Sequence, residues 1–465
     1  MDEMKSISKI AGPTALTGLI LYSRAMISML FVGYIGELEL AAASLSIGFA
    51  NITGYSIITG LSMGMEPICG QAFGAKRLKL LGVTLQRTLL ILFLSCLPLS
   101  LLWLAMEKLL LWCGQDPRVT SMASTYITFS IPDLFAQAVF HPLRVYLRAQ
   151  SITLPLMICA FMALILQVPI NFLLVVHMDM GIKGAALASV WTNFNLVFFL
   201  LVYMCSWGPY KKTLRMFSPE CLRGWQTLLR LAIPSCFSVC LEWWWYEFMI
   251  LLCGLLPNPR PKVAAMGALI QTTSLLYIIP TSISLGASTR IGNELGANMP
   301  QKARKVMIVA LWASSLLGFL SMVFAIGVRS VWGKMFSHDQ ETLDLTCAVL
   351  PIIGLCEIFN CPQTTGCGIL RGCARPSLVA NVNFISFYLL GMPVAVVLGF
   401  YLGLGFLGLW LGLLVAEVCC LFSMVYVLFQ TDWIVEARRA CKLTGACDGG
   451  PLILHYETDQ KASEC

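Results

Sequence analysis

Two glutamates stand inside an otherwise apolar stretch, Leu241-Glu242-Trp243-Trp244-Trp245-Tyr246-Glu247. A carboxyl in hydrocarbon costs at least about 2.5–3.5 kcal/mol on insertion scales, so it belongs against protein or a water-filled cavity. The chemistry open to it there is proton binding in competition with a substrate, the proton being traded for cargo. Glu242 lies twelve residues past Arg230, about 18 Å along a helix and so roughly mid-membrane. Glu247 is five residues further on and turned by about 140°, which predicts that the two do not share one cavity axis and that one serves the site, with Glu247 a possible coupling or lining residue. The competing role for Glu242 is a neutral, hydrogen-bonded joint between helices.

Trp243, Trp244 and Tyr246 offer flat π faces to aromatic or cationic compounds, with lipid contact or core packing as the bland alternative. Further polar residues sit inside apolar runs. Arg24 needs a partner, a glutamate or carbonyls freed near a proline; Glu66 precedes Pro67, where snorkelling or capping competes with a transport role. Asp133 beside Pro132, and Glu357 with Asn360, are candidate lining. Gln271, Thr272, Thr273 and Tyr277 form one polar stretch, and Asn193 with Asn195 another.

Several motifs point elsewhere and fail on context. Gly403-x-Gly405-x-x-Gly408 spells the dinucleotide fingerprint, but that fingerprint needs a preceding strand in a βαβ unit. Gly70 to Lys76 lacks P-loop spacing and a Ser or Thr after the Lys. Asn51-Ile52-Thr53 spells a glycosylation sequon inside a span, and reads instead as polar lining or contact between helices. His141, His177, His338 and His455 share no metal-ligand spacing, and no nucleophile has a nearby base, so neither a metal centre nor an enzyme is expected.

The elements that must position these residues follow from composition. With 58% hydrophobic and 12% charged residues, and a mean hydropathy of +0.79, the chain cannot coat a soluble surface. Twelve runs long enough for about 30 Å of hydrocarbon lie at roughly 12–34, 44–68, 83–106, 123–146, 154–176, 183–205, 231–256, 263–287, 306–328, 345–370, 376–400 and 405–430. Nineteen cysteines strewn through those runs read as small packing residues.

The chain also repeats itself. Gly70-Gln71-Ala72-Phe73-Gly74-Ala75 returns as Gly292-Asn293-Glu294-Leu295-Gly296-Ala297, and Pro13, Pro155 and Pro169 answer to Pro234, Pro376 and Pro393. An even number of spans per half makes these parallel repeats, an arrangement in which one site lies at the interface of the halves. The predicted organisation is an amino-terminal lobe over 1–206, a cytoplasmic linker over 207–229, a carboxyl-terminal lobe over 230–430 and a poorly ordered polar tail over 431–465. Only Lys108, Arg118, Lys183, Arg260, Lys262, Arg329 and Lys334, of 31 basic residues, fall on the side opposite the termini. The basic excess places both termini in the cytoplasm, and the +7 charge then reflects topology, with no nucleic acid as partner.

Met65 to Lys76, Pro142 to Arg148, Cys240 to Trp244, Ser288 to Gly296 and Gly366 to Gly372 together resemble the multidrug and toxic compound extrusion (MATE) family, in its plant DETOXIFICATION-type members. The resemblance covers nearly the whole chain. It implies an all-α membrane protein of twelve helices in two pseudo-symmetric six-helix lobes, alternating access, and export or sequestration of small organic compounds (xenobiotics, secondary metabolites or hormones). It assigns coupling to the acid of the seventh span, which Glu242 matches. Many plant relatives carry Asp where Asn360 stands, and many bacterial ones an acid in the first span, where this chain has Arg24. Either Glu242 carries the proton beside Asn360, or Glu357 replaces the missing acid. A lipid or glycolipid flippase is the alternative, for which a strongly basic cavity would be the mark. The expected working unit is a monomer in the plasma, vacuolar or endosomal membrane, with the proton rather than sodium as coupling ion and no other cofactor.

Overall fold

A computed structural model describes residues 2–206, 219–335 and 339–446. Among these, eleven helical segments are long and apolar enough to cross a membrane: α1 (Glu3–Ile35), α2 (Glu37–Gly74), α3 (Leu78–Leu104), α5 (Leu154–His177), α6 (Gly181–Ser206), α7 (Trp225–Gly254), α8 (Pro259–Gly296), α9 (Pro300–Met335), α10 (Gln340–Gly372), α11 (Pro376–Tyr401) and α12 (Gly405–Phe429). The expected fourth span is α4 (Pro117–Ala149), long enough at 33 residues but more polar, because Asp133, His141, Arg144 and Arg148 ride on it. The chain is an all-α membrane protein, and many helices run well past the apolar windows read from sequence.

Local chemistry sets the helix boundaries. Proline opens α4, α5, α8, α9 and α11, where its missing amide would have had no partner. Asp116 caps α4, accepting from the Arg118 amide at 2.8 Å and the Val119 amide at 3.2 Å. The chain leaves α2 and α8 through left-handed residues at repeat-related positions, Lys76 (φ 58°) and Asn298 (φ 59°).

Wide π turns interrupt α5 at Phe172–His177 and α11 at Val397–Tyr401, positions 224 to 225 residues apart and just past Pro169 and Pro393. Two more lie at Asn51–Tyr55 in α2 and Phe384–Gly391 in α11. Irregular helix of this kind survives in a bilayer only where protein covers the displaced backbone groups.

Each half has its own buried cores. Leu85, Tyr146 and Leu200 belong to one in the first half, and Trp103 and Ile127 to a second. Ile291, Met307 and Ile369 belong to one in the second half, and Trp245, Ile353 and Trp410 to another. Outward faces carry large apolar side chains such as Leu30, Leu101, Trp312 and Phe422, the surface that lipid would wet.

The halves meet through small residues. A Cβ on Gly60 would sit 2.5 Å from the Cys236 Cα, and one on Gly64 would sit 2.3 Å from the Ala232 Cα, so α2 and α7 touch backbone to backbone. The repeated glycine motifs face one another: a Cβ on Gly70 would lie 3.5 Å from the Gly292 Cα, and one on Gly292 would lie 3.3 Å from the Gly70 Cα. The α2–α8 crossing therefore passes close to the pseudo-twofold axis, at the end of the bundle where basic residues cluster.

The tail differs from the sequence expectation. Beyond the twelve long helices, residues 433–444 form a further helix, α13 (Trp433–Thr444), capped by Asp432 through the Ile434 and Val435 amides. Its Trp433, Ala437 and Ala440 join the second-half core, Leu443 packs on the first-half core, and Arg77 Nη2 donates to the Gly445 carbonyl at 3.1 Å. An apolar stripe at helical spacing within a polar composition made this segment look solvated. Most of the expected linker (207–218) and the last stretch of the tail (447–465) lie outside the described residues.

A Cβ on Gly74 would fall 2.0 Å from the Asn293 carbonyl oxygen, and one on Gly296 would fall 2.0 Å from that of Gln71. We expect Gly74→Ala and Gly296→Ala each to destabilise the protein by roughly 1–3 kcal/mol. A lowered thermal midpoint in detergent checks this against Gly12→Ala, where nothing lies within 4 Å. Equal midpoints for all three would mean that the crossing is loose.

Candidate functional site

Helices α7, α8, α10, α11 and α12 enclose a cavity of about 360 Å³, a size suited to a small organic molecule. Its wall combines carboxyls (Glu242, Glu247, Glu417), aromatic rings (Trp243, Trp245, Tyr246, Tyr277, Phe387) and neutral polar groups (Thr273, Ser274, Asn360, Gln363, Thr364). From the first half only Asn51 and Ile52, at the π turn of α2, reach it. The site is thus set inside the second half, whereas the repeat pattern had suggested the seam between halves.

Glu242 is fully engaged. Its Oε2 accepts from the Tyr277 hydroxyl at 3.1 Å and its Oε1 from Asn383 Nδ2 at 2.9 Å. Asn383 continues the network, its Oδ1 accepting from Gln363 Nε2 at 3.5 Å and from Cys420 Sγ at 3.5 Å. Thr364 Oγ1 can donate to Gln363 Oε1 at 3.2 Å or to Asn360 Oδ1 at 3.1 Å. Asn360 Nδ2 in turn reaches both Glu357 oxygens at 3.3 Å, and Cys361 donates to Oε2 at 3.3 Å. One polar chain therefore runs through α8, α7, α11 and α10, joining Glu242 to Glu357 across the bilayer-buried core.

Several sequence expectations need correction. Glu247 lines the same cavity as Glu242 despite the 140° between them, because the cavity wraps round α7 and the Glu247 carboxyl turns toward Gly48 on α2. Gln271 lies outside the lining and accepts from the Tyr22 hydroxyl at 3.2 Å; Thr272 accepts from Trp332 Nε1 at 2.8 Å. Asn193 is in the other half, where its Nδ2 donates to Asp133 Oδ1 at 2.6 Å and its Oδ1 accepts from Arg24 at 2.8 Å. The partners of Arg24 are thus the amides Asn193 and Gln167, the latter at 3.1 Å, rather than a glutamate or a free carbonyl. Asp133 also accepts from the Tyr55 hydroxyl at 2.7 Å and borders a void of only about 40 Å³.

Glu66 lies apart from both cavities. It is 4% exposed and pairs with Arg148 at 3.3 Å and with Arg371 at 3.9 Å, so one carboxylate of the first half sits between guanidiniums from α4 and α10. Gln71 Nε2 donates to the Gly372 carbonyl at 3.0 Å beside it. The ion cluster and the glycine crossing together close the basic end of the seam.

Two residues of the cavity region escaped the reading of the sequence. Asn383 sits in the apolar α11, and Glu417 in Val415-Ala416-Glu417-Val418 of α12, 4% exposed with its Oε2 lacking a hydrogen-bond partner. The signal for both was the one that singled out Glu242, a polar group in mid-span.

Two helical repeats with an acidic, aromatic cavity set into the second define a membrane transporter by class. A family model described as MatE matches residues 13–173 and 234–397. Protein DETOXIFICATION 48 of Arabidopsis thaliana is 58% identical over 464 residues, spanning 100% of this chain and 87% of its own length. Protein DETOXIFICATION 49 of the same plant is also 58% identical, over 97% of this chain and 90% of its own. The crystal structure of the eukaryotic MATE transporter AtDTX14 superposes with a TM-score of 0.92 at 34% identity, covering 95% of this chain and 99% of that one. An outward-facing multidrug resistance MATE transporter shares the fold, with a TM-score of 0.81 at 15% identity over 95% and 97% of the two chains. The chain belongs to the MATE family of membrane transporters and is of the plant DETOXIFICATION type.

Removing one partner of a buried ion pair costs roughly 3–5 kcal/mol, whereas apolar replacement of both is often neutral. We expect Glu66→Gln to destabilise the protein by that scale, read as a lowered thermal midpoint, and Glu66→Leu with Arg148→Met and Arg371→Met to recover part of it. A triple variant as unstable as the single one would show that the cluster is not an ion-pair joint.

Proposed function

We propose that this chain exports or sequesters organic compounds by alternating access, driven by a proton gradient, with Glu242 as the proton-responsive group. The observation that carries the reading is the Glu242 carboxyl itself, reached by the Tyr277 hydroxyl and the Asn383 amide at the wall of a cavity that holds three carboxyls and aromatic rings. Donors aimed at a carboxylate stabilise its ionised form, while removal from water opposes it, so small changes in cavity occupancy decide whether the proton stays. A cationic or aromatic compound in the cavity meets π faces and negative charge, and its arrival favours proton release from Glu242. Cargo leaving restores the protonated state, which is the exchange an antiporter needs.

The basic end is taken as cytoplasmic, with both termini there, because Lys and Arg concentrate at that end. On that assignment the Glu66 cluster and the Gly70–Gly292 crossing close the cytoplasmic side, and rocking of the halves must break them to admit cargo. Plasma, vacuolar or endosomal membrane and a working monomer complete the proposal. Asn360 cannot titrate; as donor to both Glu357 oxygens it supports the acid beside it. The flippase alternative loses ground on charge: no Lys or Arg is among the residues lining the cavity. Sodium is disfavoured in the first half because Arg24 already supplies a cation there.

The measurement is flux of radiolabelled organic compounds in proteoliposomes under an imposed pH gradient. Glu242→Gln is expected to reduce pH-driven flux at least tenfold while leaving the protein folded, as read by its thermal midpoint. Unchanged pH-driven flux in that variant rejects the role of Glu242, and flux that requires sodium rejects the proton as driver.

A further inference from the structure

The two halves can be matched helix by helix through the repeat. Tyr55 corresponds to Tyr277 at the 222-residue offset of Gly70 and Gly292, Asn193 to Glu417 at the 224-residue offset of Gly181 and Gly405, and Arg24 to Trp245 at the 221-residue offset of Pro13 and Pro234, while Asp133 falls at Cys356, one residue before Glu357, at the 223-residue offset of the left-handed Ser151 and Ala374. In the first half these groups close on themselves. Asp133 accepts from Tyr55 at 2.7 Å and Asn193 at 2.6 Å, Asn193 accepts from Arg24 at 2.8 Å, and a void of only about 40 Å³ is left. That half carries its own cation for its own acid.

In the second half the charge at both positions differs. The Arg24 position holds the neutral Trp245, and the neutral Asn193 position holds an acid, Glu417. The cavity is about 360 Å³ rather than about 40 Å³, and Glu417 faces it with Oε2 buried and unpartnered. The groups within electrostatic reach of Glu417 are Glu242 and Tyr246 on α7, Cys356, Glu357, Cys361 and Cys367 on α10, and Cys420 on α12 itself. From α11 the neighbouring polar group is the neutral Asn383, bonded to Cys420. Both charged groups acting on Glu417 are acids. A carboxylate without a donor, buried beside other carboxylates, is far costlier than a neutral carboxyl. Glu242 has its two donors, and Glu357 has three contacts from Asn360 and Cys361, but Glu417 Oε2 has none.

We propose that Glu417 is a second proton-binding carboxyl of the transport cycle, filled when the cavity lacks cargo and emptied when an organic cation enters, so that each cycle exchanges two protons. On entry of the cation the Glu417 O–H bond breaks, the proton passes to water in the open cavity, and the carboxylate left behind is a counter-ion for the cargo. On the opposite side of the membrane a proton from water re-forms the bond and the cargo leaves. Glu417 thus fills the role that Asn360 cannot, from a different helix. The inference rests on proton antiport as proposed above but not on Glu242 being the first site.

The direct test is infrared difference spectroscopy of the full chain in lipid nanodiscs during a pH titration. Glu417→Gln is expected to remove one titrating band of protonated carboxyl and Glu417→Asp to shift it, while Glu242→Gln removes a different band. A Glu417→Gln spectrum that keeps every titrating band overturns the proposal, and if that variant does not fold, an unshifted band in Glu417→Asp does so. A second arm opposes a pH gradient to a gradient of ethidium, a monovalent aromatic cation, in proteoliposomes with the membrane potential clamped at zero. With two protons per cation a tenfold proton gradient balances an ethidium gradient of about a hundredfold, and with one proton about tenfold. The wild type is expected at the first value and Glu417→Gln at the second or inactive; a wild type at the second value also overturns the proposal. Loss of a band in Glu417→Gln together with none in Glu242→Gln leaves Glu417 standing and removes Glu242, so the two readings fail separately.

Discussion

The backbone contact between α2 and α8 at Gly70 and Gly292 fixes how the two halves can sit. Two helices approach that closely only where neither carries a side chain, and here the sequence supplies a glycine from each repeat at the same place. Everything at the basic end follows from this approach. It brings Arg371 of α10 within reach of Glu66 of α2 and sets the Gln71 amide against the Gly372 carbonyl. At the same end α13 is anchored to both halves through Arg77 and its buried Trp433, Ala437 and Ala440. A joint made of van der Waals contact and one multiply shared carboxylate is the contact that the proposed rocking of the halves would have to break.

Away from this joint, the governing constraint is that hydrocarbon supplies no hydrogen bonds. Each polar group in a span must find a partner inside the protein or be held next to water. The first half obeys this completely around Arg24, where guanidinium, amides, carboxyl and hydroxyl close into one network. The second half obeys it only in part, since the chain from Tyr277 to Glu357 is satisfied while Glu417 Oε2 is not. Two copies of one architecture have therefore diverged, one into a packed strut and the other into a container.

Much of this was readable without coordinates, for identifiable reasons. Hydropathy and the Gly and Pro repeats carry the spans and the two halves because length and helix contact are written locally in the residues. The intramembrane acid Glu242 stood out for the same reason: its cost in lipid depends on position alone. Partners were harder. Asn193 looked like cavity lining and is instead the bridge between Arg24 and Asp133, because which face of a span meets which neighbour is decided by helix packing. Glu247 was kept as possible lining but separated from Glu242 by helical phase, which says where a Cβ points and nothing about how far a cavity extends around the helix. α13 was hidden by composition, its four-residue apolar stripe being too short to outweigh the charges around it.

The cavity lining holds three carboxyls and no Lys or Arg, and Arg371, whose charge reaches Glu242, is shared with Glu66. In the first half Arg24 supplies the neutralising charge, and a built-in cation cannot be exchanged, so a site neutralised in this way cannot cycle. On the proposed mechanism the charge that neutralises Glu417 arrives from outside as a proton or as a cationic cargo, and the two exclude one another because they answer the same carboxyl. The proposed antiport would then follow from electrostatics rather than from an added mechanism. The neutral Trp245 at the Arg24 position and Glu417 at the Asn193 position are what distinguish the open network of the second half from the closed one of the first.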